Sequence, residues 1–436
     1  MRHRNSALLL LFAATAFAED ASPKKLKTDS PVRQKRIKEF LSEDPAKQAL
    51  ALTEAGKWER APWSDAVKKD LELIRGAKFA RTGFKDAKGQ PVFRGKEVFK
   101  QNGIDREFQW VVPKTYDPLK PTPLWIYLHG SNGPMGTEPW STWASSKGMI
   151  CVAPASPNRQ YWHPVDGATD PLVYEESFFF AYMDAWRAKF NVDPERIYLS
   201  GFSAGGFGSW WFSLRYPEYW AAVMPMAGGP PSNWGERGPY EQPGKLGYWI
   251  WHGELDADVP VDLDRKGVEG LKKVGTPVWY KEYAGGDHNT WFPKDEAEIA
   301  KVVLDVVEKE RRILWPSRVV WCWDAAWYKV FPKTAPLKGG WWLEFGECGD
   351  SARIEAEYAG GNLYKVTTRD IKDFTIRVSP DMADLSKPVV VQVNGKEAFN
   401  AVVEVDFELL LKRQASWSDP KRLFTSEIHV PVPASK

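Results

Sequence analysis

The chain has 436 residues, enough for two or three domains, and its 43% hydrophobic and 27% charged residues are typical of a globular protein and exclude a disordered one. Lys and Arg number 59 against 57 Asp and Glu, and the balance is 57 of each sign once Arg2 and Arg4 are set aside with the first eighteen residues. This balance argues against nucleic acid as the main partner, three cysteines are too few for a disulfide scaffold, and no apolar run is as long as a membrane span.

The N-terminus has the three parts of a secretory signal. Arg2 and Arg4 precede an apolar run over residues 7–17, which ends in alternating small residues. The run is too short to span a bilayer. The sequence therefore predicts a signal peptide over residues 1–18, with cleavage after Ala18, and a protein that is secreted or periplasmic.

The predicted arm spans residues 19–104, of which residues 24–78 are lysine-rich and have a helical pattern. Ser30 and Pro31 form a typical helix start, because a hydroxyl cap is followed by proline in the first turn. A second helical run opens at Ser64 and ends at Gly76. No catalytic motif occurs here, so we expect an N-terminal helical arm packed on the main domain.

Residues 105–315 alternate short apolar runs with longer amphipathic ones. Strands that are apolar throughout and separated by helices indicate a mostly parallel sheet with helices on both faces, which is an α/β domain. Its ligand is expected beyond the carboxyl ends of the strands. The predicted strands are 124–128, 149–153, 197–200, 221–226, 248–251 and 278–283, and the predicted helices are 174–190, 204–215, 262–274 and 295–312.

The sequence pattern of residues 316–436 differs from that of residues 105–315, because several runs alternate between polar and apolar residues. Asn394 and Gly395 form a tight-hairpin signal between two of these runs. We expect a C-terminal antiparallel β domain that resembles a β-sandwich. Cys322 and Cys348 both lie in this region and could form a disulfide outside the cytosol, but sequence spacing leaves free thiols as an equal alternative.

A candidate nucleophile, Ser203, lies in the run GFSAGG that directly follows a predicted strand and directly precedes a predicted helix. The pattern Gly-x-Ser-x-Gly in this position is typical of a strained turn, and the flanking glycines avoid collisions with the returning backbone. Such a turn exposes the hydroxyl at a helix N-terminus, where N–H groups face developing negative charge.

A serine needs a base, and His288 is the best candidate because it follows the last predicted strand within a glycine-flanked loop. Enzymes with this type of turn carry the acid between the serine and the histidine along the chain. Asp256 follows the strand 248–251 and is the preferred acid, while Glu254 and Asp258 remain alternatives on the same loop.

The oxyanion of an acyl-transfer reaction needs backbone donors. One donor is expected to be the N–H of Ala204, directly after the nucleophile. The second is expected from the loop after strand 124–128, where Ser131 is preferred and Asn132 is the alternative. His129 opens this loop, and we expect it to shape the loop by hydrogen bonding rather than to act as a base.

These motifs resemble the α/β-hydrolase superfamily, and within it the secreted esterases related to polyhydroxybutyrate depolymerases and feruloyl esterases. Prolyl-oligopeptidase-like and dienelactone-hydrolase-like proteins share the same segments. The resemblance covers about half of the chain and rests on LHG from Leu128, GFSAGG around Ser203, HGELDADVP from His252 and DH at His288. It implies an α/β-hydrolase fold with a catalytic triad of Ser203, His288 and Asp256, and no metal or other cofactor.

Several aromatic residues are candidates for substrate binding. Trp162, His163 and Trp291 lie on loops near the predicted site, and packing beneath those loops is an equal interpretation. In the C-terminal region a tryptophan cluster could form a carbohydrate platform, although the core of a small β domain is the favoured interpretation. The cluster comprises Trp321, Trp323, Trp327, Trp341 and Trp342.

The sequence thus predicts a serine carboxylic-ester hydrolase. The expected partner is an ester substrate, with acyl esters on plant-wall polysaccharides (feruloyl or acetyl) preferred. An aliphatic polyester depolymerase and a short-peptide serine peptidase are alternatives with the same chemistry. A carbohydrate-binding protein with an inactive hydrolase fold is the alternative from another class.

Overall fold

The computed structural model describes residues 25–42, 44–77, 81, 83–85, 87–133, 135, 140–157, 159–163, 176–231, 234, 238–289, 291–328, 338–417 and 419–432. The predicted signal peptide lies outside these residues. Side chains of residues 140–142, 291–296 and 416–417 are also outside the description. No helix of the described residues is both long and apolar enough to cross a membrane.

An eight-stranded sheet forms the centre of the main domain. Its strand order is β1-β2-β4-β3-β5-β6-β7-β8; β2 runs antiparallel to both neighbours and the strands from β4 to β8 pair in parallel. This arrangement confirms the predicted α/β-hydrolase fold. The strands are β1 (Arg94–Gln101), β2 (Ile104–Val111), β3 (Thr122–Leu128), β4 (Ile150–Pro154), β5 (Val192–Phe202), β6 (Ala222–Met226), β7 (Gly247–Gly253) and β8 (Val278–Tyr283).

Helices cover both faces of this sheet, because its central strands, such as β4 and β6, are apolar on both sides. One face packs against helices that share a core containing Phe179, Trp210 and Leu271, and the other face packs against helices contributing Ala144 and Val303. The first group is α5 (Ser177–Lys189), α6 (Ala204–Arg215) and α7 (Asp262–Lys273), and the second is α4 (Trp140–Ser146) and α8 (Trp291–Lys309).

The sheet begins earlier in the chain than predicted. β1 pairs with β2 along its whole length, and the two strands are joined by Asn102 and Gly103, both with positive φ. A two-residue turn of this kind favours Asn-Gly and matches the twist of the strands. The predicted start of the domain at residue 105 therefore falls inside a hairpin, and the structure has the sheet beginning at Arg94.

The C-terminal region forms two further sheets. Their orders are β16-β15-β13-β12-β9 and β10-β11-β14-β17, with antiparallel pairing except for β13 and β15, which pair in parallel. Helix α9 (Phe407–Trp417) packs with them. The strands are β9 (Arg318–Asp324), β10 (Gly339–Gly340), β11 (Leu343–Phe345), β12 (Cys348–Tyr358), β13 (Leu363–Ile371), β14 (Asp373–Val378), β15 (Val389–Val393), β16 (Lys396–Ala401) and β17 (Ser426–Pro431).

The N-terminal helices share their core with these C-terminal sheets. Ile37 and Leu71 lie in the same buried cluster as the C-terminal strands, and Ala61 forms a backbone bridge with Val405. The expectation that the arm packs on the main domain is therefore wrong for these helices, whose apolar faces fit the C-terminal core, whereas Phe84, later in residues 19–104, packs against the main-domain core. The helices are α1 (Ser30–Phe40), α2 (Pro45–Ala55) and α3 (Asp65–Arg75).

The disulfide considered for Cys322 and Cys348 is absent, because both residues are free thiols. Cys322 on β9 lies opposite Arg353 on β12, whereas Cys348 is five residues away along β12. At about 3.3 Å per residue, this register separates the two backbone positions by roughly 16 Å, far beyond disulfide reach.

Buried charges join the C-terminal region to the main domain. Arg312 pairs with Asp419 at 2.5 Å, and Arg422 donates to the carbonyl oxygens of Glu218 and Trp341. Burial raises the pKa of Glu218 and lowers that of Arg422 to about 10, while each charge partly offsets the shift of the other. These contacts connect the two parts of the chain, and removing one member would leave a buried charge uncompensated.

Candidate active site

The turn between β5 and α6 presents Ser203 at the carboxyl edge of the main sheet. Ser203 has a φ of 56° and a ψ of −119°, a conformation that L-residues rarely adopt. Its N–H donates to Met226 O at 2.9 Å and its carbonyl accepts from Phe207 N at 3.0 Å, so neighbouring elements hold the strained residue in place. Such a strained position at a sheet edge is typical of functional sites.

The glycines around Ser203 are required by close backbone contacts. A Cβ on Gly205 would overlap the carbonyl oxygen of Leu128, and one on Gly201 would overlap the carbonyl oxygen of Gly205. A Cβ on Gly206 would lie 2.5 Å from Met226 O. The helix therefore approaches β3 and β6 more closely than any side chain permits, which is the reason for the glycine pattern in the sequence.

The structure brings Ser203, His288 and Asp256 together from three separate loops. His288 Nε2 lies 3.0 Å from Ser203 Oγ, and His288 Nδ1 lies 2.6 Å from Asp256 Oδ2. The Phe202 ring packs against the imidazole with the ring centroids 4.9 Å apart. The histidine side chain is 12% exposed and the aspartate side chain is fully buried, so solvent reaches the serine end of the chain of hydrogen bonds.

Asp256 is fixed by its own loop. Its Oδ1 accepts the backbone N–H groups of Asp258 at 3.0 Å and Val259 at 2.8 Å, which leaves Oδ2 directed at His288. The alternative acids do not reach the histidine: Glu254 accepts from the Gly285 N–H and Asp258 is exposed. Among the three acids of this loop, the geometry thus selects Asp256.

A second buried histidine adjoins this aspartate, and the sequence interpretation gave it no role. His252, at the end of β7, lies 3.3 Å from Asp256 Oδ2 through Nε2 and 2.7 Å from Asp264 Oδ2 through Nδ1. Burial acts to lower the pKa of His252, but the hydrogen bond and charge of Asp264, the Val259 carbonyl and the charge of Asp256 together raise it. A histidine at the end of a wholly apolar strand, with an acid in the next helix, is the signal that could have identified this pair.

The loop after β3 lies against the nucleophile. A Cβ on Gly130 would be 3.4 Å from Ser203 Cβ, so the next residue, Ser131, is near the serine. The N–H of Asn132, the alternative donor, is engaged by the Arg159 carbonyl at 2.8 Å. Ala204 is the first residue of α6, where N–H groups have no acceptor within the helix.

His129 shapes this loop through both ring nitrogens. Its Nε2 lies 3.1 Å from the donating N–H of Ser156, so Nδ1 carries the proton and donates to the carbonyl of Gly130 at 2.7 Å. Burial lowers the pKa of His129, with a smaller effect from the charge of Arg159, while the Gly130 hydrogen bond acts in the opposite direction. The imidazole is thus neutral, as expected for a histidine that supports the loop.

The three aromatic candidates for substrate binding differ in their surroundings. Trp162 is only 1% exposed and donates to His129 O at 2.8 Å, so it belongs to the core beneath the loop. His163 stacks on Phe207, one turn into α6, and burial lowers its pKa to about 4. Its Nδ1 is buried with no hydrogen-bond partner among the described residues. Trp291 begins α8, and its side chain lies outside the description.

The C-terminal tryptophan cluster is mostly core. Trp321, Trp341 and Trp342 are at most 3% exposed, Trp327 is buried as well, and only Trp323 is partly exposed. A planar carbohydrate platform needs exposed rings, so this cluster is organised for packing. Within the described residues, no group of three or more His, Cys, Asp or Glu side chains is placed to hold a metal ion.

Known proteins resemble parts of this chain. It is 26% identical over 133 residues to a bifunctional acetylxylan esterase/xylanase of Neocallimastix patriciarum, a match covering 30% of this chain and 19% of that protein. It is 31% identical over 102 residues to poly(3-hydroxyalkanoate) depolymerase C of Paucimonas lemoignei, covering 18% of this chain and 25% of that protein. The chain thus spans about a quarter or less of the length of these two relatives.

Among solved structures, a thermostable esterase is 25% identical, with a TM-score of 0.41 and coverage of 53% of this chain and 70% of that one. No protein-family model matches the chain. The α/β-hydrolase fold follows from the strand order and directions described above, and the similarity in sequence is to an esterase and a depolymerase, each over less than a third of this chain.

Proposed function

We propose that this protein is a serine hydrolase that cleaves carboxylic esters through an acyl-enzyme. The observation that carries the proposal is the continuous hydrogen-bonded path from Ser203 Oγ through His288 to Asp256, with distances of 3.0 and 2.6 Å. A serine hydroxyl becomes a useful nucleophile when an adjacent base removes its proton, and the base must be oriented by a third group.

In the acylation step, Ser203 Oγ attacks the ester carbonyl carbon while His288 Nε2 accepts the hydroxyl proton. The carbonyl oxygen becomes an oxyanion that receives hydrogen bonds from the N–H groups of Ala204 and Ser131, the donors we propose. Collapse of the tetrahedral intermediate breaks the bond to the alcohol, which leaves with the proton from His288. Each well-placed oxyanion donor contributes about 3 kcal/mol to transition-state stabilisation.

In the deacylation step, water takes the place of the alcohol. His288 removes a proton from the water as its oxygen attacks the acyl carbon, and the proton returns to Ser203 Oγ when the carboxylic acid leaves. The buried Asp256 carboxylate stabilises the imidazolium formed in both steps. Since Asp256 is fixed by two backbone N–H groups, the imidazole stays in the tautomer with its free lone pair towards the serine.

For the substrate we propose acyl esters on plant-wall polysaccharides, with feruloyl or acetyl groups. The similarity to an acetylxylan esterase and the stacking of His163 on Phe207, whose N–H donates to the Ser203 carbonyl, support this choice. An aliphatic polyester depolymerase is the second candidate, supported by the similarity to a poly(3-hydroxyalkanoate) depolymerase. A short-peptide peptidase is the third candidate with the same chemistry.

Rates on a panel of substrates would distinguish these candidates. The panel comprises 4-nitrophenyl acetate, methyl ferulate, acetylated xylan, hydroxybutyrate oligomers and dipeptide anilides. Release of acetate or ferulate at a kcat/KM well above that for the oligomers and anilides supports the polysaccharide-ester proposal. Preferential cleavage of hydroxybutyrate oligomers would instead establish the polyester alternative.

A Ser203→Ala variant tests the chemistry independently of the substrate. We expect the rate on 4-nitrophenyl acetate to fall by several orders of magnitude while the circular dichroism spectrum is unchanged. A fluorophosphonate probe should label the natural protein and fail to label the variant. An unlabelled natural protein would favour the alternative of a carbohydrate-binding protein with an inactive hydrolase fold, which affinity electrophoresis on xylan would then examine.

We also propose that the protein is exported and that cleavage follows Ala18. The basic residues, the short apolar run and the alternating small residues at the N-terminus support this location. N-terminal sequencing of protein recovered from the periplasm and from the medium would identify the first residue of the mature chain. A chain that retains residues 1–18 in the cell would contradict the proposal.

A further inference from the structure

The contacts of His252 leave both of its ring nitrogens facing hydrogen-bond acceptors. The residue is completely buried at the end of β7. Nδ1 lies 2.7 Å from the Asp264 carboxylate, and Nε2 lies 2.9 Å from the Val259 carbonyl oxygen and 3.3 Å from Asp256 Oδ2. The three side chains of His252, Asp256 and Asp264 are all fully buried.

This geometry requires a proton on each nitrogen of His252. A neutral imidazole has one N–H, so its other nitrogen would direct a lone pair at an oxygen lone pair. At Nε2 the closest oxygen is the Val259 carbonyl, which can only accept, and Asp256 Oδ2 is likewise an acceptor. The doubly protonated ring is the form that satisfies all of the contacts, and its positive charge is matched by two carboxylates.

Asp264 is surrounded by hydrogen-bond donors in addition to His252. Its Oδ1 accepts from Trp210 Nε1 at 2.6 Å, and its Oδ2 accepts from His252 and lies 3.4 Å from the Gly228 N–H. Donors of this kind stabilise a carboxylate in a buried site. Asp264 belongs to the first turn of α7, where the helix dipole also favours negative charge.

Two further charged side chains near His252 are Glu282 on β8 and Arg265 on α7. Glu282 lies opposite His252 in the register between β7 and β8, and the charge of His252 contributes to lowering the pKa of Glu282, after larger contributions from Arg265 and Tyr280. Arg265 on α7 forms a bidentate pair with Glu282 and so neutralises it. The groups around the buried imidazole among the described residues are therefore Asp256, Asp264, the neutralised pair of Glu282 and Arg265, and Tyr280, whose hydroxyl donates to Glu282 at 2.9 Å.

We propose that His252 is a positioning residue, an imidazolium fixed between Asp264 and Asp256 that holds the Asp256 carboxylate and its loop in place and balances the charge next to His288. The inference rests on the proposed function, because it concerns the same catalytic hydrogen-bond chain. Mechanically, His252 binds the Val259 carbonyl while the Val259 N–H binds Asp256, so one residue connects the two side chains.

The positive charge also affects the readiness of His288 to act as a base. With His252 protonated, the buried set of His252, Asp256 and Asp264 carries one net negative charge. Without that proton the set carries two, and the additional negative charge holds a proton on His288 more firmly. His252 would thus extend activity to lower pH, where His288 must still be unprotonated to accept the Ser203 proton.

The test is the pH dependence of kcat/KM for 4-nitrophenyl acetate with a His252→Gln variant of the full chain. Glutamine retains one hydrogen-bond donor group but carries no charge. We therefore expect the acid limb of the profile, which is the fall in kcat/KM at low pH, to move up by about one pH unit. At pH values below the midpoint of this fall, the shift lowers kcat/KM of the variant by about tenfold, in addition to any loss that the variant shows at high pH. The rate of fluorophosphonate labelling should show the same displacement.

Two further variants separate charge from folding. Asp264→Asn removes the partner that holds the proton on His252, so its acid limb should move in the same direction by a smaller amount, because the charge on position 264 is removed as well. His429→Gln, the same substitution on an exposed strand, should leave the profile unchanged. A folded His252→Gln variant with an unmoved acid limb would overturn the proposal, since a merely structural residue lowers activity equally at every pH.

Nitrogen-15 spectra of the natural protein labelled on histidine provide a readout that needs no stable variant. Both ring nitrogens of His252 should show protonated shifts at pH 7.5, a pH at which an exposed histidine is mostly neutral. One unprotonated ring nitrogen at that pH would refute the imidazolium. Failure of the natural protein to label with fluorophosphonate would instead refute the proposed function, so the two failures are distinguishable.

Discussion

Replacing Asp256 by Asn would change the tautomer of His288, the proposed catalytic base. The Oδ1 atom of Asp256 accepts two backbone N–H groups, from Asp258 and Val259, at 3.0 and 2.8 Å. In the Asp256→Asn variant, the amide oxygen is the only atom of the new side chain that can accept these donors, so the NH2 group turns towards His288. A donor at this position forces His288 Nδ1 to accept and places the ring proton on Nε2, facing Ser203.

A histidine in that tautomer cannot remove the serine proton. Where this substitution has been made in a serine-protease triad, the loss in kcat is about 10⁴-fold, and we expect a comparable loss here, about 5.5 kcal/mol in the barrier. The reverse orientation of the amide would oppose the two backbone donors and would still lack the charge that stabilises the imidazolium. Both orientations therefore predict a large loss without a change of fold.

The assay is kcat for 4-nitrophenyl acetate at saturating substrate, with unfolding in urea followed in parallel. Asp258→Asn is the matched control, because Asp258 is exposed on the same loop, and its activity should stay within about twofold of the natural protein. An Asp256→Asn variant that retains more than about a tenth of the activity would contradict the assigned role. An equal loss in Asp258→Asn would show that the loop, and not the carboxylate, is responsible.

Three further outcomes are expected. Gly205→Ala should prevent native folding, seen as loss of soluble protein, because its Cβ would overlap the carbonyl oxygen of Leu128. The pKa of His163 is about 4, below its ordinary 6.5, so between these pH values the unfolded chain binds a proton that the folded chain does not. The free energy of unfolding should therefore fall by up to about 3 kcal/mol as the pH drops from 6.5 to 4. His163→Gln should show less of this loss in urea titrations. Arg422→Met should lower the free energy of unfolding by about 3–5 kcal/mol, because the buried Glu218 loses the largest of its compensating charges and the carbonyl oxygens of Glu218 and Trp341 lose their donor.

Each of these outcomes has a matched control. Gly83→Ala should be tolerated, since a Cβ there meets no atom within 4 Å, and a soluble, active Gly205→Ala would refute the close-contact argument. His429→Gln should leave the pH dependence of stability unchanged, and the same slope in His163→Gln would show that another group titrates. Lys421→Met, on the exposed neighbour of Arg422, should cost much less than Arg422→Met.

Local patterns in the sequence were sufficient to locate the main sheet and to nominate the members of the candidate site. The glycine-flanked serine between an apolar strand and a helix predicts the sharp turn, and the structure shows that turn at Ser203 with positive φ. Chain order then nominates His288 and Asp256, which lie on loops following successive strands. Parallel strands end at one edge of a sheet, so residues distant along the chain meet there.

The same local rules missed features that depend on pairing at a distance. The hairpin of β1 and β2 has its Asn102-Gly103 signal in the sequence, but strands of mixed polarity beside a lysine-rich segment gave no reason to add it to the main sheet. His252 and Asp264 were visible individually, whereas the contact between them follows from how α7 packs against β7.

What the sequence by itself determined is thus the set of residues that a strand, a turn or a helix start requires locally. Only the tertiary structure decided which apolar faces are joined, since the N-terminal helices pack with the C-terminal sheets and Trp162 lies in the core. It also decided the register of β9 and β12, which keeps Cys322 and Cys348 too far apart for a disulfide. The physical reason is that backbone geometry and periodicity act over a few residues, whereas burial of an apolar surface depends on shape and contact across the whole chain.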